Sequence, residues 1–187
     1  MADGQSKSGK YGALEHSYSS LYYLPEMEPE QIAQTIRDVA AHEFYHIVTP
    51  LNIHAEQIGN FDFINPKMSE HLWLYEGVTE YSAGHVQVVQ KLQPIETYMK
   101  VLEGKIRNAQ QFKDDLPFTV MSSMVLTEHK KQYANVYEKG ALIGMCLDIR
   151  LRQLSDGKLG LQQLIQNLSN QYGKDKAFQD EELFDVI

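Results

Sequence analysis

The segment Glu30-Gln-Ile-Ala-Gln-Thr-Ile-Arg-Asp-Val-Ala-Ala-His-Glu-Phe-Tyr-His-Ile-Val48 decides how the rest of this chain is read. Ile32, Ile36, Val39 and Ala40 recur at helical spacing, and Glu26-Met-Glu-Pro-Glu30 ahead of them supplies the proline and acidic residues that open a helix. A helix is predicted from about Glu30 to Val48, closed by Pro50. Within it, His42-Glu-Phe-Tyr-His46 sets two imidazoles four residues apart. Residues at that spacing stand about 40° apart around a helix, so both rings leave one face and can grip one metal ion, while Glu43, about 100° round from His42, points along its rim. The spacing suits zinc, and a chain of this composition would contain the triplet by chance only about 0.02 times.

On either side of this helix the pattern stays helical. A second helix is predicted from near Ser69, carrying Leu72, Trp73, Val78, Tyr81 and Val88 and weakening around Pro94. A third covers roughly Ile95 to Gln111, a fourth Val136 to Leu154 ending at Ser155-Asp-Gly157, and a fifth Leu161 to Gln171 ending at Tyr172-Gly173. Between Pro50 and Pro66 the chain reads as an irregular crossing, and Phe112 to Lys131 as a loop with room for one short helical turn. The Tyr- and Ser-rich run His16 to Leu24 is predicted to be extended, a single strand or half of a hairpin. The final Glu182-Leu-Phe-Asp-Val-Ile187 reads as a tail without a turn or cap. The fold class expected is therefore mainly α, a helical core with a short strand or hairpin at the amino end. Because a lone strand leaves unpaired edges, the chain is expected to be part of a longer protein.

With 187 residues there is room for one domain with a real core: a flexible lead over residues 1–10, then one catalytic domain over 11–187. Seventeen Lys and Arg against 25 Asp and Glu give a net charge of −8 without a basic stripe, which argues against nucleic acid as a partner. No apolar run approaches the roughly 18 residues of a membrane span, and the first ten residues lack the apolar centre of an export signal, so the sequence assigns no compartment. The single cysteine, Cys146, lies in an apolar helical stretch and is expected to be a buried thiol.

A catalytic zinc takes three protein ligands and leaves one position for water. The third ligand has seven candidates, Glu56, Glu70, Glu76, Glu80, His54, His71 and His85. Glu76 lies in Leu72-Trp-Leu-Tyr-Glu-Gly-Val-Thr-Glu-Tyr81, between aromatics and before Gly77, which lets another helix come close. Glu80 shares its helical face and is placed to accept a hydrogen bond from the second nitrogen of a ligating imidazole.

Four motifs, Gly12-Ala-Leu-Glu-His16, His42-Glu-Phe-Tyr-His46, Leu72-Trp-Leu-Tyr-Glu-Gly77 and Tyr137-Glu-Lys-Gly-Ala-Leu142, resemble in order and spacing those of the glycyl aminopeptidase family of zinc metallopeptidases. The 29 residues between His46 and Glu76 are similar to that family's longer crossing and unlike the shorter one of the alanyl-type aminopeptidases. The resemblance implies a thermolysin-like catalytic domain with His42, His46 and Glu76 as zinc ligands. It implies Glu43 as the proton shuttle, Tyr137 as a hydrogen-bond donor to the oxyanion, and Glu15 as the carboxylate that receives a substrate's free amino terminus. Tyr133 would belong to the same wall. Family members also carry an amino-terminal β domain and a peptide-binding PDZ-like domain. One segment departs from the family. Where it commonly reads Trp-Asn-Val-Lys-Arg-Ile-Arg-Pro, this chain has Val48-Thr-Pro-Leu-Asn-Ile-His-Ala55, with His54 in place of an arginine.

The expected function is thus zinc-dependent removal of small residues from peptides with a free amino terminus. Two others share these residues: a zinc endopeptidase in which Glu15 is structural, and a catalytically silent, metal-stabilised peptide-binding module.

Overall fold

A computed structural model describes residues 12–16 and 19–187; the expected lead, residues 1–10, lies outside them. Proline at the helix start and Glu30 in the first turn open α1, Pro29–Tyr45. The helix ends before the predicted Val48, because the amides of Val48 and Thr49 both turn back to the Tyr45 carbonyl, at 2.8 and 3.3 Å, and the chain reverses. Against α1 lies a hairpin: β1, Gly12–His16, pairs antiparallel with β2, Ser19–Tyr23, with Leu14 opposite Leu21. His16 closes one strand rather than opening the other, so the expected extended run is shorter than predicted and has a partner.

The crossing after Pro50 holds one short helix, α2, Glu56–Gly59, and then exposes Phe63 and Ile64 to solvent. The predicted second helix is two structures. A π-helical turn, Trp73–Val78, runs directly into α3, Thr79–Val89. Next come α4, Ile95–Ala109, and α5, Phe118–Ser123, followed by a 3₁₀ turn at Lys130–Gln132. The long α6, Asn135–Leu154, then leads through Asp156 and Gly157, both left-handed with φ of 51° and 79°, to α7, Leu161–Gln171.

The protein is organised around α6, which packs on the π turn, α3, α4 and α7. Its closest approach is to the π turn at a pair of glycines. A Cβ on Gly77 would lie 2.3 Å from the carbonyl carbon of Gly140, so only two glycines allow the two backbones to meet there. Leu72, Leu74, Val78, Leu102, Val136 and Ala141 fill the core around this crossing. Asp148 of α6 ties α7 in place by accepting from the Leu161 amide at 2.6 Å and from the Tyr81 hydroxyl at 2.9 Å.

Two expectations need correction. Cys146 is exposed, because the face of α6 that carries it points away from the π turn. The tail is structured: a 3₁₀ turn, Asp180–Glu182, leads into α8, Leu183–Val186, and Phe178 and Leu183 are wholly buried. Apolar burial of two large side chains holds it in place without any sequence signal for a cap. Among the described residues, no helix is long and apolar enough to cross a membrane.

Candidate active site

His42 stands in the last turn of α1, and His46 is the first residue beyond it. Their rings lie edge to face, 4.8 Å apart between centroids at 83°. The π turn presents Glu76 to both: its Oε2 is 3.3 Å from His42 Nε2 and 3.7 Å from His46 Nε2. Each imidazole is held by its other nitrogen. His42 Nδ1 donates to Glu80 Oε2 at 2.8 Å, and His46 Nδ1 donates to the Thr49 carbonyl at 2.8 Å. With Nδ1 engaged in this way, both Nε2 atoms face the same carboxylate oxygen.

This donor set fits a metal ion. Bonds of about 2.0–2.2 Å in a tetrahedral arrangement leave ligand atoms about 3.4 Å apart, close to the spacings found here, and a carboxylate and a backbone carbonyl behind the rings are the partners that ligating histidines need. Burial disfavours the His42 imidazolium, but Glu76 and Glu80 more than offset it and raise its pKa to about 9; a metal on Nε2 would displace that proton.

The remaining ligand candidates are engaged elsewhere. His54 is buried with Nδ1 donating to Pro50 O, away from the cleft, and fully buried His71 bridges Asp180 O and the Trp73 indole. His85 stacks on Tyr81, Glu56 accepts from Gln179, and Glu70 is exposed, its carboxylate in neither of the ligand-spaced groups given next. Among the described residues, two acidic and histidine groups bring three potential ligand atoms within 4.8 Å of one another: His42, His46 and Glu76, and Glu15, Glu43 and His46.

That second group places β1 at the site, with Glu15 beside Glu43. Burial, then the neighbouring charges of Glu15 and Glu76, push the Glu43 carboxyl up against the pull of the two histidines. Its Oε2 is buried and has no hydrogen-bond partner among the described residues. Tyr137, in the first turn of α6, lies with its ring 5.9 Å from that of His42. Burial and the Glu76 charge drive its phenol far above the ordinary range, and its hydroxyl is 3.3 Å from that of Tyr133. A cleft of about 510 Å³ opens on these groups between Ala13, Val39, Glu43, Glu80 and Tyr137.

Two participants lay outside the sequence expectations. The Thr49 carbonyl belongs to a chain reversal whose side chain is pinned by Thr79 Oγ1 at 3.2 Å, and no residue type announces a backbone acceptor. Lys105 extends its Nζ to Glu80 Oε1 at 2.8 Å. Its signal was present: Tyr98, Leu102 and Lys105 form the buried stripe of α4, where a lysine is out of place.

A mainly α core with a hairpin at its edge thus sets two histidines at the end of α1 against a carboxylate from the π turn. The sequence profile of the M61 glycyl aminopeptidases matches residues 35–143, and the chain belongs to that family. Among solved structures, an aminopeptidase N family protein from Idiomarina loihiensis superposes with a TM-score of 0.82 at 23% identity. The match covers 95% of this chain and 33% of that one, so the chain shares its fold and spans about a third of its length. No curated protein matches.

Proposed function

We propose that this chain is the catalytic domain, residues 11–187, of a zinc aminopeptidase that removes small residues from peptides with a free amino terminus, within a longer protein. The observation that carries the reading is the convergence of His42 Nε2 and His46 Nε2 on Glu76 while both Nδ1 atoms are held from behind. Zinc bound there would lower the pKa of a water to about 7 and polarise the scissile carbonyl as a Lewis acid.

The chain's own groups supply the rest. Glu43, with one oxygen free and its basicity raised by burial, takes the proton from the attacking water and returns it to the leaving amine. Tyr137 keeps its proton at neutral pH and donates it as a hydrogen bond to the oxyanion, with Tyr133 alongside. Glu15 pairs with the substrate's ammonium group. Its position favours exopeptidase action: only two bonds of about 1.5 Å, N–Cα and Cα–C, separate a terminal nitrogen from the carbonyl of the first residue, and the Glu15 carboxylate lies within 4.8 Å of a ligand atom of Glu43 and of His46.

The test uses the full-length protein, short peptides beginning with glycine or alanine, and the same peptides acetylated at the amino terminus. Cleavage of the free peptides alone is expected; equal cleavage of both would turn the assignment to an endopeptidase. Glu43→Gln should retain one zinc and lose activity by several orders of magnitude, because the ligands stay while the proton shuttle is gone. Unchanged turnover in that variant would remove Glu43 from the mechanism.

A further inference from the structure

The carboxylate of Glu80 divides its two oxygens between two partners: Oε2 accepts from His42 Nδ1 at 2.8 Å, and Oε1 accepts from Lys105 Nζ at 2.8 Å. The same ammonium donates at 3.2 Å to the carbonyl of Tyr137. The nitrogen, projecting from the buried stripe of α4, thus joins α3 and α6 directly and α1 through Glu80. Resting on the metal-site reading above, we infer that Lys105 is a positioning residue of that site. It fixes the carboxylate that orients the His42 ring, and it anchors the turn of α6 that carries the Tyr137 hydroxyl.

Packing alone does not call for a lysine here. Lys105 is 9% exposed and follows Tyr98 and Leu102 on the apolar side of α4, where an aliphatic residue of similar volume would cost nothing in desolvation. Burying an ammonium is expensive unless it is paired, and replacing such a pair by apolar groups is often neutral or stabilising for a fold. What the pair supplies is direction. A carboxylate with one acceptor in use can rotate about its last bond and share its hydrogen bond unequally. With Oε1 held by Lys105, only Oε2 is left to face His42, so the imidazole plane and the aim of Nε2 are set together. The acceptor from Tyr137 uses a second proton of the ammonium, so the ring that would orient the metal and the phenol beside it are referred to a common point.

The experiment is a zinc titration of the protein in competition with a chromophoric chelator, comparing wild type, Lys105→Met, Glu80→Gln and the double variant. Lys105→Met should raise the zinc dissociation constant about 10–100-fold while the melting temperature measured in excess chelator is unchanged or higher. In the Glu80→Gln background the further change from Lys105→Met should stay within about twofold, because the ammonium acts through that carboxylate. Peptide cleavage at saturating zinc should lose kcat with KM little altered. If Lys105→Met does not fold, Lys105→Gln carries the same comparison. A folded variant that binds zinc as tightly as wild type, or an equal loss whether or not Glu80 is present, overturns the role of Lys105 and leaves the metal site standing. Failure of the wild-type protein to bind zinc overturns both.

Discussion

Adding one methyl group at Gly77 probes the crossing on which the site depends. An ideal Cβ there would stand 2.3, 2.5 and 2.6 Å from the carbonyl carbon, oxygen and Cα of Gly140, all backbone atoms with no freedom to swing aside. Carbon atoms rest at about 3.5–4.0 Å, so α6 must retreat from the π turn by about 1 Å or more. Overpacking of this kind costs about 1–3 kcal/mol. In a domain of this size each kcal/mol lowers the melting temperature by about 2–4 °C, so Gly77→Ala should melt about 2–12 °C below wild type. Activity should suffer more than stability. Glu76 precedes the altered residue, and Tyr137 rides on α6 one turn ahead of Gly140. A shift of about 1 Å between groups that must act together costs about 100-fold in rate. Melting is followed by circular dichroism in excess chelator, so that bound metal does not mask the loss, and peptide cleavage is measured separately at saturating zinc. Gly140→Ala is the graded comparison: its Cβ would lie 3.0 Å from Gly77 Cα, a conflict of a few tenths of an ångström, and its effect should be the smaller. An unchanged melting temperature for Gly77→Ala, or a worse one for Gly140→Ala, would refute the reasoning.

Gly104, in α4, has open space where its Cβ would stand, so Gly104→Ala should stabilise the protein by about 0.5–1 kcal/mol, read from chemical denaturation, with zinc content unchanged. Glu76→Ala should weaken metal retention far more than Glu80→Ala, measured as zinc per protein after dialysis; equal contents would mean that the ligand is misassigned. Burial works to raise the Asp148 carboxyl, but hydrogen bonds from the Leu161 amide, Tyr81 and Arg152 outweigh it and hold the pKa below the ordinary 3.8. A depressed folded-state pKa contributes stability that is complete above the unfolded value and fades as pH falls through the folded one. Asp148→Asn should therefore lower stability at neutral pH and flatten the loss of stability below about pH 4, as followed by denaturant midpoints across that range.

The parts of the site that were legible in the sequence are those fixed by local spacing. His42, Glu43 and His46 belong to one periodic helix, and their relative directions follow from 3.6 residues per turn. Glu76 was harder to isolate: seven side chains could have been the third acidic or histidine partner, and what selects it spatially is a π turn seated on α6 through two glycines. A π turn has no composition of its own, and Gly140 is remote in sequence, so the pattern from Ser69 reads as one continuous α-helix. Glu15 and Tyr137 were named through resemblance rather than periodicity, since residues of these types are more often surface charges or packed aromatics. Lys105 is hidden because a lysine in an amphipathic helix reads as solvent-facing, although its place in the Tyr98–Leu102 stripe contradicts that. The hairpin was only half visible, because Gly12–His16 carries little β-propensity and is a strand through its pairing with Ser19–Tyr23.

The last ten residues reach back to the segment that feeds the π turn. Phe178 exchanges backbone hydrogen bonds with His54 and Glu56, and Asp180 accepts from Ser69 Oγ at 2.6 Å, from the Glu70 amide at 2.8 Å and from Gln57. Phe184 lies parallel to Trp73, 6.2 Å away between ring centres. A shortened version ending before Phe178 would strip the roof from His71 and Trp73 and free the approach to Glu76, so anyone trimming this polypeptide for expression should keep it through Val186.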